Sequence, residues 1–212
     1  MLGRISLVGA LVACLAVLAA EKAPHASRPP EAATRHVKLL AVPHLQQETM
    51  LCVPTSAAMI LAYYGDPQSP RLLKTLSAGK SYSPSAPFND FTGTWYRDQL
   101  RGLQQLGYVW SEVLFADTEE GFSAALEVID REIKLDHPVM IDFSFKAGQG
   151  HSVVVVGIDP VARQIFYLDP GRPAPGRVIL GYDELARIWN EHAYDHRFRS
   201  VVITQPRTIG SA

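Results

Sequence analysis

Residues 42–65 read VPHLQQETMLCVPTSAAMILAYYG, and the fold turns on how they are read. The spacing predicts a helix over Cys52–Tyr64, stopped by Gly65, a residue type suited to a helix end. Pro54 is tolerated in the first helical turn, where its missing N–H leaves no bond unmade. Ser56, Ala57 and Ala58 are small, so neighbouring elements can approach closely. Cys52 therefore sits at or just before a helix N-terminus. Unpaired N–H groups and the macrodipole favour an anion there, and a thiolate is one. Such placement lowers a cysteine pKa. The plain alternative is a buried small hydrophobe, the commonest fate of a free Cys, but that role has no need of a helix start.

Outward from this stretch, the composition sets limits. The chain has 212 residues, 47% hydrophobic and 19% charged, which suits one globular domain with a short appendage. With 20 Lys+Arg against 21 Asp+Glu, the formal charge is -1. That balance argues against nucleic acid as the main partner and against a polybasic membrane-surface binder. Cys14 and Cys52 are the two cysteines, which excludes a disulfide framework and a Cys-rich zinc site.

Residues 1–20 read as a signal peptide. Arg4 supplies the positive start, Ile5–Ala20 is an uncharged apolar run, and Ala19 and Ala20 suit cleavage. The run is shorter than the roughly twenty residues a spanning helix needs, which counts against a retained N-terminal membrane anchor. A third reading takes Leu11-Val12-Ala13-Cys14 as a lipobox with Cys14 lipidated. All three readings place the domain outside the cytoplasm, periplasmic or secreted, and touch a membrane only through the anchor or the lipid. Removal of the leader leaves Cys52 as the lone thiol. Residues 21–35, rich in Ala, Pro and charge, read as a flexible tether, 36–206 as the folded domain, and 207–212 as a C-terminal tail.

Within the domain, His36–Val42 is a short strand candidate, and Leu72–Leu76 a short helix before a Ser/Pro/Gly/Asn-rich loop. Thr94–Leu106 is amphipathic and stops at Gly107, and Tyr108–Phe115 reads as a strand. Thr118 caps a helix carrying Phe122, Ala125, Leu126, Ile129 and Ile133. Pro138–Phe145, His151–Ile158, Gln164–Leu168 and Arg177–Leu180 are strands, Tyr182–Glu191 a helix, and Ser200–Thr204 a closing strand. Helices first and strands second point to an α+β domain.

A cysteine nucleophile needs a base. His25 lies in the tether, His36 and His44 suit a strand and loop surface, and His137 adjoins Pro138 in a turn. His192 and His196 stand four apart, but HExxH is absent and no third zinc ligand is evident. His151 differs: it follows Gly148-Gln149-Gly150 and opens the strand Ser152–Gly157, where an imidazole is fixed by the sheet yet faces a cleft. Asp169 ends the following strand, and two neighbouring antiparallel strands can bring a strand start and a strand end to one edge. There an Asp orients the ring and supports the imidazolium. Its plain alternative is an Asp that only starts the Asp-Pro-Gly turn.

Four blocks, VPHLQQETMLCVPTSAAMILAYYG, PVMIDF, GHSVVVVGID and IFYLDPG, together resemble the papain-like fold. More narrowly, they resemble the bacterial cysteine peptidases that process double-glycine leader peptides, and their standalone exported relatives. The resemblance implies an α+β fold with N-terminal helices packed on a mostly antiparallel sheet. It implies Cys52 as nucleophile, His151 as general base and acid, and Asp169 as the orienting carboxylate. Gln46, six residues before Cys52, matches the oxyanion-hole donor, with Gln47 as the fallback and the Cys52 N–H completing the hole. Leu51 and Val53 depart from the small or acidic residues common beside the nucleophile, making the cleft more apolar. The membrane-spanning and ATP-hydrolysing parts of dedicated leader exporters have no counterpart, so export in cis is not expected.

The expected function is thus an exported cysteine peptidase or related amide-bond hydrolase acting on a peptide or protein substrate, with no cofactor and no metal. The alternatives are a transglutaminase-like acyl transferase and a catalytically silent papain-like binding domain. The Cys-to-His separation fits the first reading better than the second, and a binder needs none of the four residues.

Overall fold

The computed structural model describes residues 37–77, 93–146, 149–189 and 198–205. The leader with Cys14, the tether, His36, the loop at 78–92, the His192/His196 pair and the tail lie outside the described residues.

Helix α1, Cys52–Tyr63, is the central element. Every residue from Val53 to Leu61 is buried, so this helix has no solvent face through its first nine positions after Cys52 and is held by packing on all sides. The small Ser56, Ala57 and Ala58 make that enclosure sterically feasible. Gly65, at φ +82°, follows the helix in the left-handed region where a Cβ is unwelcome. Helices α2 (Pro70–Leu76) and α3 (Tyr96–Gln104) pack beside α1.

Strands β1 (Val109–Ala116), β2 (Val139–Lys146), β3 (Gln149–Asp159), β4 (Gln164–Leu168), β5 (Arg177–Gly181) and β6 (Phe198–Gln205) form one sheet in the order β1-β6-β2-β3-β4-β5. Every pairing in it is antiparallel. Helix α4 (Glu119–Lys134) separates β1 from β2, and the short α5 (Tyr182–Ile188) follows β5. Thr118 caps α4 as expected, accepting from the Gly121 N–H at 3.1 Å.

The register shows which helices lie on which face. Ile141 is opposite both Val153 and Val201, so these three share a face. Ser152 points the other way, and its hydroxyl meets Tyr96 of α3. Arg199, two residues before Val201, points to the Val201 face, and its guanidinium lies over the Phe122 ring of α4 at 5.3 Å. Helix α3, with α1 and α2 beside it, therefore covers one face and α4 the other. Between them Val139–Ile141, Val153–Val156 and Val201–Val202 are almost fully buried. Each such side chain contributes about 1.5–3 kcal/mol of transfer free energy.

Two expectations need correction. Of the expected strand His36–Val42, the described residues 37–42 form no strand. Strand β2 pairs with β3 only as far as Val155, so a short stretch of that edge is left open, and the incoming chain meets it at a single bridge, Leu39 to Gly157. On its other edge Gly157 pairs with Phe166 of β4, and the bridge is held by the Leu40 N–H donating to the Val156 carbonyl at 2.8 Å. A Cβ on Gly157 would come within 2.9 Å of the Lys38 backbone carbonyl oxygen, besides 2.4 Å of Leu39 Cδ2, so the close crossing of the two backbones favours glycine. Helix α5 ends at Ile188, with Trp189 as its cap, short of the expected Glu191.

Candidate active site

Cys52 is the first residue of α1, preceded by the buried Leu51 at the N-cap. No side chain caps this end, so the first-turn N–H groups remain available to the sulfur. Cys52 itself is half-buried and carries a free thiol. His151 lies near the start of β3, and Asp169 immediately follows β4. Val154 is opposite Leu168, the last residue of β4, so the start of β3 lies beside the turn that Asp169 begins. A Cβ on Gly171 would crowd Asp169 Oδ1 at 3.1 Å, with His151 Cε1 in ordinary contact at 3.4 Å, so Gly171 lies directly against the His151–Asp169 pair.

His151 Nε2 donates to Asp169 Oδ1 at 2.6 Å. Nδ1 is thereby left for Cys52, whose thiol is hydrogen-bonded to the imidazole. Asp169 Oδ1 also accepts from the Gly171 N–H at 2.8 Å, and Oδ2 from Arg172 Nε at 3.3 Å. Three of the four sequence candidates, Cys52, His151 and Asp169, thus form one connected chain.

The electrostatics follow the contacts. Burial pushes the Cys52 thiol up, but the hydrogen bond and charge of His151, with the N–H groups of Ser152 and Val53, hold it below its ordinary value. Burial pulls His151 down, but its hydrogen bonds to Asp169 and Cys52 and their charges raise it to about 9. Burial pushes the Asp169 carboxyl up, yet His151, Gly171 and Arg172 hold it below the usual carboxylate range. A sulfur with a lowered pKa against an imidazole with a raised one describes a thiolate–imidazolium pair backed by a carboxylate.

Residues 39–196, well over half the chain, match the Peptidase_C39 like family. The protein belongs to this family. The fold of the C39-like domain is also that of known peptidase domains. The peptidase domain of Streptococcus ComA, a bi-functional ABC transporter of a quorum-sensing pathway, superposes with a TM-score of 0.54 at 19% identity, covering 81% of this chain and 99% of that one. A double-glycine motif protease from an AMS/PCAT transporter, solved with its leader peptide, gives 0.53 at 19% identity, over 81% of this chain and 99% of that one. UfSP from C. elegans gives 0.54 at 14% identity, over 82% of this chain and 35% of that one. No curated protein sequence matches the chain.

The fourth candidate of the C39-like domain stands apart. Gln46 is exposed and lines a shallow cavity of about 210 Å³ with Leu45, Leu51, Ser69 and Arg71. Gln47 is half-buried, and its backbone N–H donates to the Pro170 carbonyl at 2.7 Å, beside the Asp169 turn. Its side-chain oxygen is buried without a hydrogen-bond partner among the described residues.

The sequence reading missed three supporting features. His44, expected at a loop surface, is half-buried and donates from Nε2 to the Asp169 carbonyl oxygen at 3.0 Å. Gly176 makes room for that ring: a Cβ there would fall 2.1 Å from His44 Nε2. Ser56 and Tyr96 both bond to Ser152, the residue after His151. None carries a local sequence signal, because each partner is tens of residues away. His137 bonds Glu132 Oε2 through Nδ1 at 3.0 Å, far from this chemistry in role. Among the described residues, no group of three or more His, Cys, Asp and Glu is placed to hold a metal ion, and no helix is long and apolar enough to cross a membrane.

Proposed function

We propose that this protein is an exported thiol peptidase that cleaves peptide bonds through Cys52, His151 and Asp169. The observation that carries the reading is the alignment of His151, held by Asp169 through Nε2 at 2.6 Å and hydrogen-bonded to the Cys52 thiol. The Cys52 thiolate attacks the scissile carbonyl carbon. His151 then gives its Nδ1 proton to the leaving amine, and the acyl-enzyme forms. Neutral His151 next takes a proton from water, which attacks the thioester, and returns it to the Cys52 sulfur as that bond breaks. Asp169 stays ionised throughout and keeps the ring oriented.

The oxyanion on each tetrahedral intermediate needs preorganised donors. We assign the side-chain donor to Gln47 and not to Gln46. A donor held by its own backbone beside the Asp169 turn loses little freedom on use, whereas an exposed Gln46 must be ordered each time. The Cys52 backbone N–H, at the open start of α1, supplies the second donor. Peptide as the substrate class is supported by the family and by the leader peptide bound to the structural neighbour.

The test is a thiol-directed acylating probe together with a fluorogenic peptide library under reducing conditions. Wild-type protein should label at Cys52 and turn over peptides. Cys52→Ala and His151→Ala should each remove nearly all turnover, and peptide cleavage surviving in Cys52→Ala would end the peptidase reading. Export rests on Arg4 and the Ile5–Ala20 run. Intact mass of the chain recovered from its native host should show a start near Glu21, or a lipid on Cys14, and a full-length chain in the cytoplasm would refute export.

A further inference from the structure

Ser152 is gripped from three directions. Its carbonyl oxygen accepts from Ser56 Oγ of α1 at 3.1 Å. Its hydroxyl lies 2.7 Å from the Tyr96 hydroxyl of α3. Its backbone N–H is among the groups that hold the Cys52 thiol below its ordinary value. Ser56 stands four residues after Cys52, so the two share one face of α1, a single turn apart. The three hydroxyl-bearing residues are withdrawn from water, with Ser56 0%, Ser152 1% and Tyr96 8% exposed.

Packing alone does not account for them. Ala, Ala and Phe would fill nearly the same space without enclosing polar groups, and each enclosed hydroxyl left unpaired is destabilising. A serine inside a helix commonly bonds the carbonyl four residues back, which for Ser56 is that of Cys52. Ser56 instead reaches across to β3. Tyr96 stays a neutral hydroxyl, because burial, and then the Asp142 charge, push its phenol well above the ordinary range.

We propose that Ser56 and Tyr96 are positioning residues for the nucleophile: they fix Ser152 so that its N–H stays aimed at the Cys52 sulfur and the start of β3, with His151, stays in register with α1. The proposal rests on reading Cys52 as the nucleophile. Neither residue touches the reacting atoms; both act through Ser152. When the grip is released, the Ser152 N–H drifts from the sulfur, the thiolate loses a donor, and the thiol becomes harder to ionise. The ionisable groups around the sulfur are His151 of β3 and Tyr96 of α3, with Asp169 behind the imidazole and Asp142 of β2 and Glu112 of β1 on the Tyr96 side.

The experiment is the pH–rate profile of iodoacetamide alkylation at Cys52, localised by mass, on the full chain as wild type, Ser56→Ala, Tyr96→Phe and Ser56→Thr. Melting temperature and peptide kcat and KM are measured beside it. Ser56→Ala and Tyr96→Phe should move the alkylation profile to higher pH, slowing alkylation about three- to tenfold below the thiol pKa. Peptide kcat should fall in step while KM holds, and Ser56→Thr, which keeps the hydroxyl, should stay near wild type. Wild-type alkylation profiles in both Ser56→Ala and Tyr96→Phe would overturn the proposal, whatever their melting temperatures. Tyr96→Phe changes no packing volume of note, so it decides the matter even where Ser56→Ala fails to fold. Absent peptide turnover in the wild type would refute the peptidase reading alone, because alkylation reports on the thiol directly.

Discussion

Asp169→Asn keeps the shape of the site and removes one charge. The native carboxylate accepts from His151 Nε2 at 2.6 Å, Gly171 N–H at 2.8 Å and Arg172 Nε at 3.3 Å. In the variant the amide oxygen takes the Oδ1 position, where two donors converge, and the NH2 group turns toward Arg172. That side chain is 61% exposed and swings into solvent at little cost. The hydrogen bond to His151 therefore survives as a neutral one. A hydrogen bond to a charged group contributes about 1.5–3 kcal/mol against about 1 for a neutral pair, so the imidazolium loses roughly 1–2 kcal/mol. One pH unit corresponds to about 1.4 kcal/mol. The wild-type rate should fall as His151 loses its proton near pH 9, and in Asp169→Asn this alkaline limb should move down by about one pH unit. At neutral pH kcat/KM should drop roughly tenfold, less than the near-total loss in His151→Ala. Stability follows the same sign. His151 has a folded value of about 9 against an ordinary 6.5, so its contribution is full below 6.5 and is lost as pH rises toward 9. The Cys52 thiol, held below its ordinary value in the fold, runs the other way across that window, so the wild-type melting temperature should stay nearly level there and should decline where Cys52→Ala removes the offset. A pH–rate profile of fluorogenic peptide hydrolysis and a melting series at fixed ionic strength measure both. An unmoved alkaline limb with intact activity would show that Asp169 does not support the imidazolium.

The two glutamines separate cleanly by kinetics. Gln47→Ala should lower kcat about 10²–10³-fold with KM little changed, since its donor acts on the oxyanion, while Gln46→Ala stays within about threefold of wild type; the reverse pattern returns the donor to Gln46. Gly176→Ala should destabilise the fold by about 2 kcal/mol or more in urea titration, because its φ is +62° and the added Cβ would meet His44 Nε2 at 2.1 Å. The same variant should lower activity by releasing His44 from the Asp169 carbonyl. Unchanged urea midpoint and turnover would show that the His44 contact carries no weight.

The nucleophile's helix was legible because its signals are local. Pro54 in the first turn, small residues in the middle and Gly65 at the end all act within one segment. His151 and Asp169 were legible for a related reason: both sit at strand ends marked by glycine and proline, and antiparallel neighbours bring such ends together. Residues 37–42 of the expected strand form only a bridge because β3 offers them just the short stretch of edge past Val155, a fact of sheet register that no short window of sequence contains. The close crossing at Leu39 is equally silent, since Gly157 reads as an ordinary strand glycine. His44 and the Ser56–Ser152–Tyr96 group escaped for the same cause. A serine in a helix, a tyrosine at the start of another and a histidine after a proline have many local fates. Their partners decide among these fates, and those partners lie far along the chain.

Gln46 and Gln47 show how narrow that limit is. Adjacent residues in an extended loop point to opposite sides, so which one faces the site depends on how the loop is pinned and not on its composition. Here two contacts pin it. His44 donates to the Asp169 carbonyl, and the Gln47 N–H donates to the Pro170 carbonyl. Both bonds run from the segment leading into Cys52 to the turn that orients His151. Their common consequence is that the loop before the nucleophile and the carboxylate behind the base are not independent parts. A substitution that loosens residues 44–47 reaches Asp169 through the backbone, and one that reshapes residues 169–176 reaches the glutamine. Rotation of this loop by one residue would exchange the two glutamines and break both ties at once. Of the two faces available to it, the loop is therefore held to the one that turns Gln47 inward.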